Sequence, residues 1–598
     1  MGERLSRFRT MDGVHLYDAF LAGTARVLEK EQLLNRINVF PVPDGDTGTN
    51  LAYTLQHILE DTIPEKSFKN TVVSISKSAI EGARGNSGII LAQFFYGFAH
   101  KIKNEQFIDV SGFINMVRQG FEFAVHAIEK PVEGTIITVM RAWSNHLDSL
   151  KEKIDDFFQL LSNSLKIAQN SLEQTPKKLA VLKKYNVVDA GAQGFVFFLE
   201  GILDFFKEGK IKKTANVAVK KIERIKEEAF ALSGYRYCTE TIVEGKGLDP
   251  EILRSNLSPL GDSLVIAGGG ERLRVHLHTD RPSDFFFYLQ EKGTLRDQKI
   301  DDMARQQNIR SNRKWPIALL TDSVCDLPEE ILDHFQVHVV PIRLHFGQNT
   351  FFDKITLKPD RFYQLLRDRE EHPTTSHPGF KDFESLYSHL IPHYDSIIAL
   401  HMSKQLSGTW NASRHVAERL GERTGKKISV IDSAQLSGSL GLMVLRAAEA
   451  IAAGLPHDEI VSLIKQWQEK TCILVSVKNL EYMVRGGRVS PMKGRIANFL
   501  HLTPIISLDR EGKSILYDKA FSQKGNMKKV MKIIGKKFRK NRIWKYSLLH
   551  AHDPRRARRY AEQLTLLLGK EPDFEIDISP AVGLSAGHGA VAVALMFE

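Results

Sequence analysis

The chain has 598 residues, too many for a single hydrophobic core; at roughly 150 residues per domain it holds three or four. Its 42% hydrophobic and 26% charged residues are the balance of an ordinary globular protein, and no uninterrupted apolar stretch is long enough to cross a bilayer. A net charge of +11 admits nucleic acid, an anionic membrane or anionic substrates as partners, but no zinc-finger spacing or RNP-like aromatic motif accompanies it, so nucleic acid is not expected. The N-terminus carries no apolar signal-like run, and the three cysteines, Cys238, Cys325 and Cys472, are odd in number and far apart, which argues against a disulfide framework. The expected location is the cytoplasm.

Taken in order, the chain opens with helical patterns. Apolar residues are interleaved with polar ones over 18–29, and helix-like runs follow at 51–59, 71–81 and 112–128, while β-branched alternation is scarce before residue 215. The prediction is an all-α region. Inside it lies N-V-F-P-V-P-D-G-D-T-G-T-N, from Asn38 to Asn50. Two prolines stiffen the approach, and Gly45 lets the chain curl so that Asp44 and Asp46 both face one hard cation. Magnesium held there against phosphates points to phosphoryl transfer. The plain alternative is an Asp/Gly turn capping the helix near Leu51.

The thirteen-residue string resembles the metal loop of the DhaL kinase domain of dihydroxyacetone kinases, in the form seen in bacterial fatty acid kinases. Further matches are G-A-R-G-N-S-G from Gly82, Gly134-Thr135, and V-V-D-A-G-A-Q-G with Asp189 and Gly191. The resemblance implies a helical barrel that binds Mg-ATP at one end. It makes Asp44 and Asp46 metal carboxylates, with Asn38 standing where the dihydroxyacetone kinase branch has a third aspartate. It makes Thr47, Asn50, Ser87, Gly88, Thr135 and Asp189 the nucleotide contacts.

A lysine-rich connector, 210–226, leads to strand patterns. In R-L-R-V-H-L-H-T-D, Leu273, Val275 and Leu277 share one face, and Arg274, His276 and His278 the other. Two histidines on one strand, with Cys238 from a neighbouring strand, suit a zinc ion; the alternative is a solvated strand face. The region resembles the middle domain of fatty acid kinases, whose Cys and His-x-His positions match Cys238, His276 and His278.

Beyond a polar joint, strand-then-turn signals at 316–320, 396–400 and 429–431 predict an α/β region. T-D-S-V-C-D-L-P from Thr321, P-T-T-S from Pro373, L-S-G-T from Leu406, I-D-S from Ile431 and L-E-Y-M-V-R-G-G-R-V from Leu480 resemble the fatty-acid-binding DegV family. The physical logic is carboxylate capture beside an apolar tunnel by Thr375, Ser376, Ser407, Gly408 and Arg488, the last also counted as catalytic with Asp44 and Asp46. The family ends in G-x-H-x-G-P-G; here Ser585 holds the histidine's place and His588 replaces the proline. The basic stretch 524–545, with Val530, Ile533, Ile534 and Phe538 at helical spacing, reads as a surface helix, with anionic lipid as the sharper alternative.

The expected organisation is therefore an all-α DhaL-type barrel over 1–212, a small α+β middle domain over 213–312 and a two-lobed α/β DegV-type domain over 313–598. The expected activity is transfer of the ATP γ-phosphate to the carboxylate of a fatty acid held in the last domain. Alternatives are a kinase of another small molecule with a regulatory lipid domain, or a lipid carrier without kinase activity. The resemblance also implies a downstream acyltransferase and a homo-oligomer.

Overall fold

The computed structural model describes residues 8–102, 105–208, 234–368, 372–478, 480–486, 502–539 and 541–598. The chain divides into two compact units, 1–307 and 308–598.

In the first unit the helices are amphipathic and turn their apolar stripes inward. Gly13–Glu29, Thr47–Asp61, Phe68–Gly82, Gly85–Phe98, Val110–Ala127, Ile136–Leu150, Phe157–Glu173 and Ala190–Glu208 share one core. Phe20, Phe94, Phe95, Phe98, Phe195 and Phe198 pack edge to face at its centre. One pairing departs from the all-α expectation: Thr10–Asp12 lies antiparallel to Phe107–Asp109. Three residues are too few to show an alternating pattern in sequence.

The middle region is a four-stranded antiparallel sheet in the order Asp262–Gly269, Arg272–Thr279, Tyr237–Glu244, Thr294–Asp302. Leu273, Val275 and Leu277 face the helices Pro250–Leu257 and Pro282–Gln290 through Leu253, Leu257, Phe285, Phe286 and Leu289. The sheet's other face turns toward the helical region. Arg274 donates to the Glu81 carbonyl at 3.0 Å, Arg84 pairs with Asp297 at 3.3 Å, and Gly268 N–H donates to Gln93 Oε1 at 2.7 Å. Val265 and Ala267 join the helical core itself, so helices and sheet form one unit.

The second unit has two lobes. One holds a parallel sheet in the order Lys427–Asp432, Ser396–His401, Ile317–Asp322, His338–Val340, and a three-stranded antiparallel sheet centred on Arg343–Phe346. The other holds a six-stranded sheet: Ser514–Ala520, Thr503–Leu508, Thr471–Ser476, Val591–Phe597, Ile543–His550, Phe574–Asp577. Between them runs Ser437–Ala452, an almost wholly buried helix that touches strands of both. The basic stretch is helical over Gln523–Phe538, with Val530 and Ile534 buried and Lys524, Lys528, Lys532 and Lys536 exposed in a row. Its last residues belong to the strand Ile543–His550, where Lys545 pairs with Glu449 at 2.6 Å. Among the described residues no helix is long and apolar enough to cross a membrane, and all three cysteines are free.

Candidate functional site

Gly45 takes φ +57 between Asp44 and Asp46, the left-handed turn that lets the two carboxylates follow each other so closely. Asn38, buried beneath them, donates from Nδ2 to Asp44 Oδ1 at 2.5 Å and accepts from Thr47 Oγ1 at 2.7 Å. Both ends of its amide are thus engaged within the loop. Asp46 occupies the N-cap position of Thr47–Asp61, yet its carboxylate makes no cap bond. The capping alternative therefore does not describe Asp46; two carboxylates on a curled loop are an oxygen donor set that fits Mg²⁺.

Other helix N-termini converge on this loop. Gly85, at φ +60, opens the helix Gly85–Phe98 so close to Asn50 that a Cβ would sit 2.4 Å from Asn50 Nδ2. Gly88 lies equally tight on Thr54. Gly191, in the first turn of Ala190–Glu208, leaves room for Ser87: a Cβ there would stand 2.5 Å from Ser87 Oγ and 3.4 Å from Asp189 Oδ2. Asp189 accepts from Ala192 N–H at 2.8 Å and from the backbone of Ile136, the residue after Thr135 at the start of Ile136–Leu150. Burial pushes its carboxyl up to about 6. The structure thus gathers Asp44, Asp46, Thr47, Asn50, Ser87, Gly88, Thr135 and Asp189 at one end of the helical region. Four helix N-termini there offer orphan N–H groups and positive dipole ends to an anion. Asn86 Oδ1 is buried nearby with no partner.

The face of Cys238, His276 and His278 is not solvated. His276 is 1% and His278 5% exposed, because the helical region covers the polar side of the sheet. An alternating pattern reports one apolar face and is silent about what covers the other. Strand register sets Cys238 opposite His278 and Glu240 opposite His276. One ligand atom from each of Cys238, His276 and His278 lies within 4.8 Å of the others, a set that fits zinc with a position to spare. Burial and the neighbouring Glu240 carboxylate push the Cys238 thiol well up.

No motif in the sequence signals two further residues of this site. Glu240 is fully buried and accepts the Gly85 N–H at 2.7 Å; burial opposes its charge, but Lys299, His276 and Arg274 hold it well below the usual carboxylate range. Lys299, directly across the sheet from Glu240, approaches Asp301 at 2.5 Å. Burial draws Lys299 down, whereas Asp301, Glu240, Cys238 and Asp46 together carry it above its ordinary value. The influence of Asp46 on Lys299 and Cys238 brings the sheet to the metal loop. Only the fact that Lys299 alternates onto the same face as the strand's polar residues hints at this in sequence.

In the second unit a cavity of about 400 Å³ is walled by Met402, Leu406, Leu436, Ile473, Val475 and Ile506, with Thr375, Ser376, Ser407, Gly408 and Ser585 also in its lining. The strand Thr374–Ser376 brings in Thr375 and Ser376, the latter 2.8 Å from His345 Nε2. Ser407 Oγ lies 2.8 Å from Thr409 Oγ1, and Gly408 caps Thr409–Thr424, pressed against His377 where a Cβ would not fit. Behind this rim Asp326 accepts from Ser437 Oγ, Lys354 Nζ and Ser579 N–H, and fixes the T-D-S-V-C-D segment. Ser585 stands against Gly486. His588 belongs to another cluster, with ring centroids 5.7 Å from Tyr363 and 6.0 Å from His552. Arg488 lies outside the described residues, as does the connector 210–226.

Family models match three successive segments: residues 41–204 the DAK2 domain, 234–310 the middle domain of the fatty acid kinase type, and 316–598 the DegV family. A DhaL-type kinase domain, a fatty acid kinase-type middle domain and a DegV-type domain therefore follow one another in this chain, the architecture of a fatty acid kinase. An uncharacterized protein of Staphylococcus epidermidis is 34% identical over 317 residues, 50% of this chain and 56% of its own. One of Staphylococcus saprophyticus is 34% identical over 311 residues, with the same shares. The chain spans about half the length of the curated relatives it matches. Among solved structures, DegV, a fatty acid binding protein from Bacillus subtilis, is 24% identical and covers 48% of this chain and 100% of its own, at a TM-score of 0.44. A fatty acid binding DegV family protein from Streptococcus agalactiae is 26% identical, with the same coverage and TM-score.

Proposed function

We propose that this chain is a self-contained fatty acid kinase, with the division 1–212, 213–312 and 313–598 into nucleotide, middle and acyl domains, working in the cytoplasm. The observation that carries the reading is that one polypeptide holds both an anion-binding convergence of helix N-termini over paired aspartates and an apolar cavity rimmed by hydroxyls. A volume of about 400 Å³ falls in the range of small-molecule pockets, about 300–1,000 Å³. Burying some fifteen methylenes there is worth about 12 kcal/mol before association costs.

Thr375, Ser407 and the Gly408 backbone donate to the fatty carboxylate, with Ser585 and Arg488 assigned to the same headgroup and His588 kept as a candidate beside it. That carboxylate, with a pKa of about 4 to 5, is ionised at neutral pH, so no base has to create the nucleophile. One carboxylate oxygen bonds to the γ-phosphorus as the bond to the β–γ bridging oxygen breaks, giving acyl phosphate and ADP. Asp44 and Asp46 hold Mg²⁺, which offsets the repulsion between carboxylate and phosphates. Asn38 steadies Asp44; Thr47, Asn50, Ser87, Gly88, Thr135 and Asp189 orient the nucleotide. Cys238, His276 and His278 hold zinc, which would order the middle sheet.

The product is a reactive mixed anhydride, so an acyltransferase must consume it. The exposed row Lys524, Lys528, Lys532 and Lys536 suits transient contact with an anionic membrane, and the working form is a homo-oligomer. The test is Mg-ATP turnover with and without the lipid extracted from the purified protein and identified by mass spectrometry. Stimulation by that lipid is expected; turnover indifferent to it would favour another small acceptor, and bound lipid with no turnover a carrier.

A further inference from the structure

The N–H of Gly85 is the first orphan donor of the helix Gly85–Phe98, and its own neighbour Arg84 makes no side-chain cap. Its acceptor comes from 155 residues away: Glu240 Oε1, at 2.7 Å. A wholly buried carboxylate is costly unless it is fully engaged. The same oxygen faces His276 Nδ1 at 3.1 Å, and Arg274 approaches the other oxygen at 3.6 Å. With Nδ1 directed at Glu240, the His276 ring has one nitrogen left, Nε2, and that atom is buried without a partner. A histidine whose one nitrogen donates to a carboxylate while the other is bare is the usual arrangement of a metal ligand with its supporting acid.

We propose that Glu240 is a positioning residue that couples the Cys238, His276 and His278 cluster to the glycine loop, so that zinc in the cluster and nucleotide at the loop bind more tightly together than apart. The inference rests on the nucleotide-site reading above. Zinc on His276 fixes the ring and strengthens Nδ1–H as a donor. The ring fixes Glu240, Glu240 fixes the Gly85 amide, and Gly85 sets the start of the turn that carries Asn86, Ser87 and Gly88. Little slack exists along this path. Glu240 and His276 are cross-strand partners, and Gly85, at φ +60, is wedged against Asn50. Linkage makes the effect reciprocal: the factor by which zinc tightens nucleotide is the factor by which nucleotide tightens zinc.

The experiment uses the full chain, loaded with zinc or stripped of it. Calorimetry measures the affinity for a non-hydrolysable Mg-ATP analogue, and chelator competition measures zinc affinity with and without the analogue. Zinc is expected to tighten the analogue about fivefold or more. Glu240→Gln, which keeps an acceptor for Gly85 but loses the charge that supports His276, is expected to weaken zinc about 10–100-fold and to abolish the coupling. Cys238→Ser leaves the contact of Glu240 with Gly85 in place and is expected to behave as stripped wild-type protein; melting curves show that each variant is folded. Equal analogue affinity with and without zinc, coupling that survives Glu240→Gln, or absence of zinc binding would each overturn the relay and leave the kinase reading standing. Failure of the wild-type chain to bind the analogue in either form would overturn both.

Discussion

At the nucleotide end of the first unit the working side chains are short and polar and sit where helices begin. The cavity of the second unit is walled by Leu436, Val475, Ile473 and Ile506, and its polar groups are confined to a few hydroxyls. Each type of construction suits its ligand, because phosphates are met by backbone N–H groups and a cation, an alkyl chain by area removed from water. Both regions also bury a carboxylate. Asp189 is pushed up to about 6 and Asp353 to about 7, in each case chiefly by burial. Asp189 lies among the nucleotide residues, whereas Asp353 accepts from Ser323 Oγ at 2.7 Å and from the N–H of Ala581, a residue of the cavity wall. The same device thus serves a ligand in one region and a scaffold in the other.

The comparison predicts that the two functions separate. Asp44→Ala should lower phosphate transfer by at least about 10²–10³-fold, the scale on which loss of one preorganised electrostatic group is felt. Lipid recovered with the protein should be unchanged, so loss of lipid in this variant breaks the division of labour. Val475→Trp, which fills the cavity from a wall strand, should remove most of the bound lipid by mass spectrometry. Affinity for an ATP analogue should stay at the wild-type level.

The buried carboxylates sharpen the contrast. Because the folded-state pKa of Asp189 lies above its ordinary 3.8, the native state binds the extra proton, and stability falls as pH rises from about 4 to about 6. Asp189→Asn should therefore stabilise the chain by up to about 3 kcal/mol at pH 7.5 and by nothing at pH 3.5. It should also weaken the ATP analogue, while Asp353→Asn should stabilise with the same sign and leave the analogue untouched. Thermal melts at the two pH values and one titration decide this. The smallest effect belongs to the surface helix: Lys532→Glu with Lys536→Glu should weaken sedimentation with anionic vesicles by about 1 kcal/mol per charge and leave neutral vesicles unaffected.

Much of the molecule is legible in its sequence. The curl at Gly45, the glycine loop before Ile89 and the α/β register of the second unit follow from local turn chemistry and hydrophobic period, which a sequence displays directly. Glu240 is not legible, since its partner Gly85 is brought to it only by packing of the sheet on the helices. The burial of His276 and His278 is hidden for the same reason. At the chain's end the three-residue displacement of the histidine is visible in sequence, but its consequence, His588 against Tyr363 and His552, depends on a turn through Gly587 at φ +75. The acyl walls come from scattered strands, each an ordinary apolar run by itself.

The most direct test of the central claim is detection of the product. The purified chain, Mg-ATP and a long-chain fatty acid are incubated with hydroxylamine, which captures an acyl phosphate as its hydroxamate. The account predicts fatty hydroxamate in step with ADP release and none with Asp44→Ala. ADP release at the same rate without fatty acid, and with no hydroxamate when it is present, would contradict it.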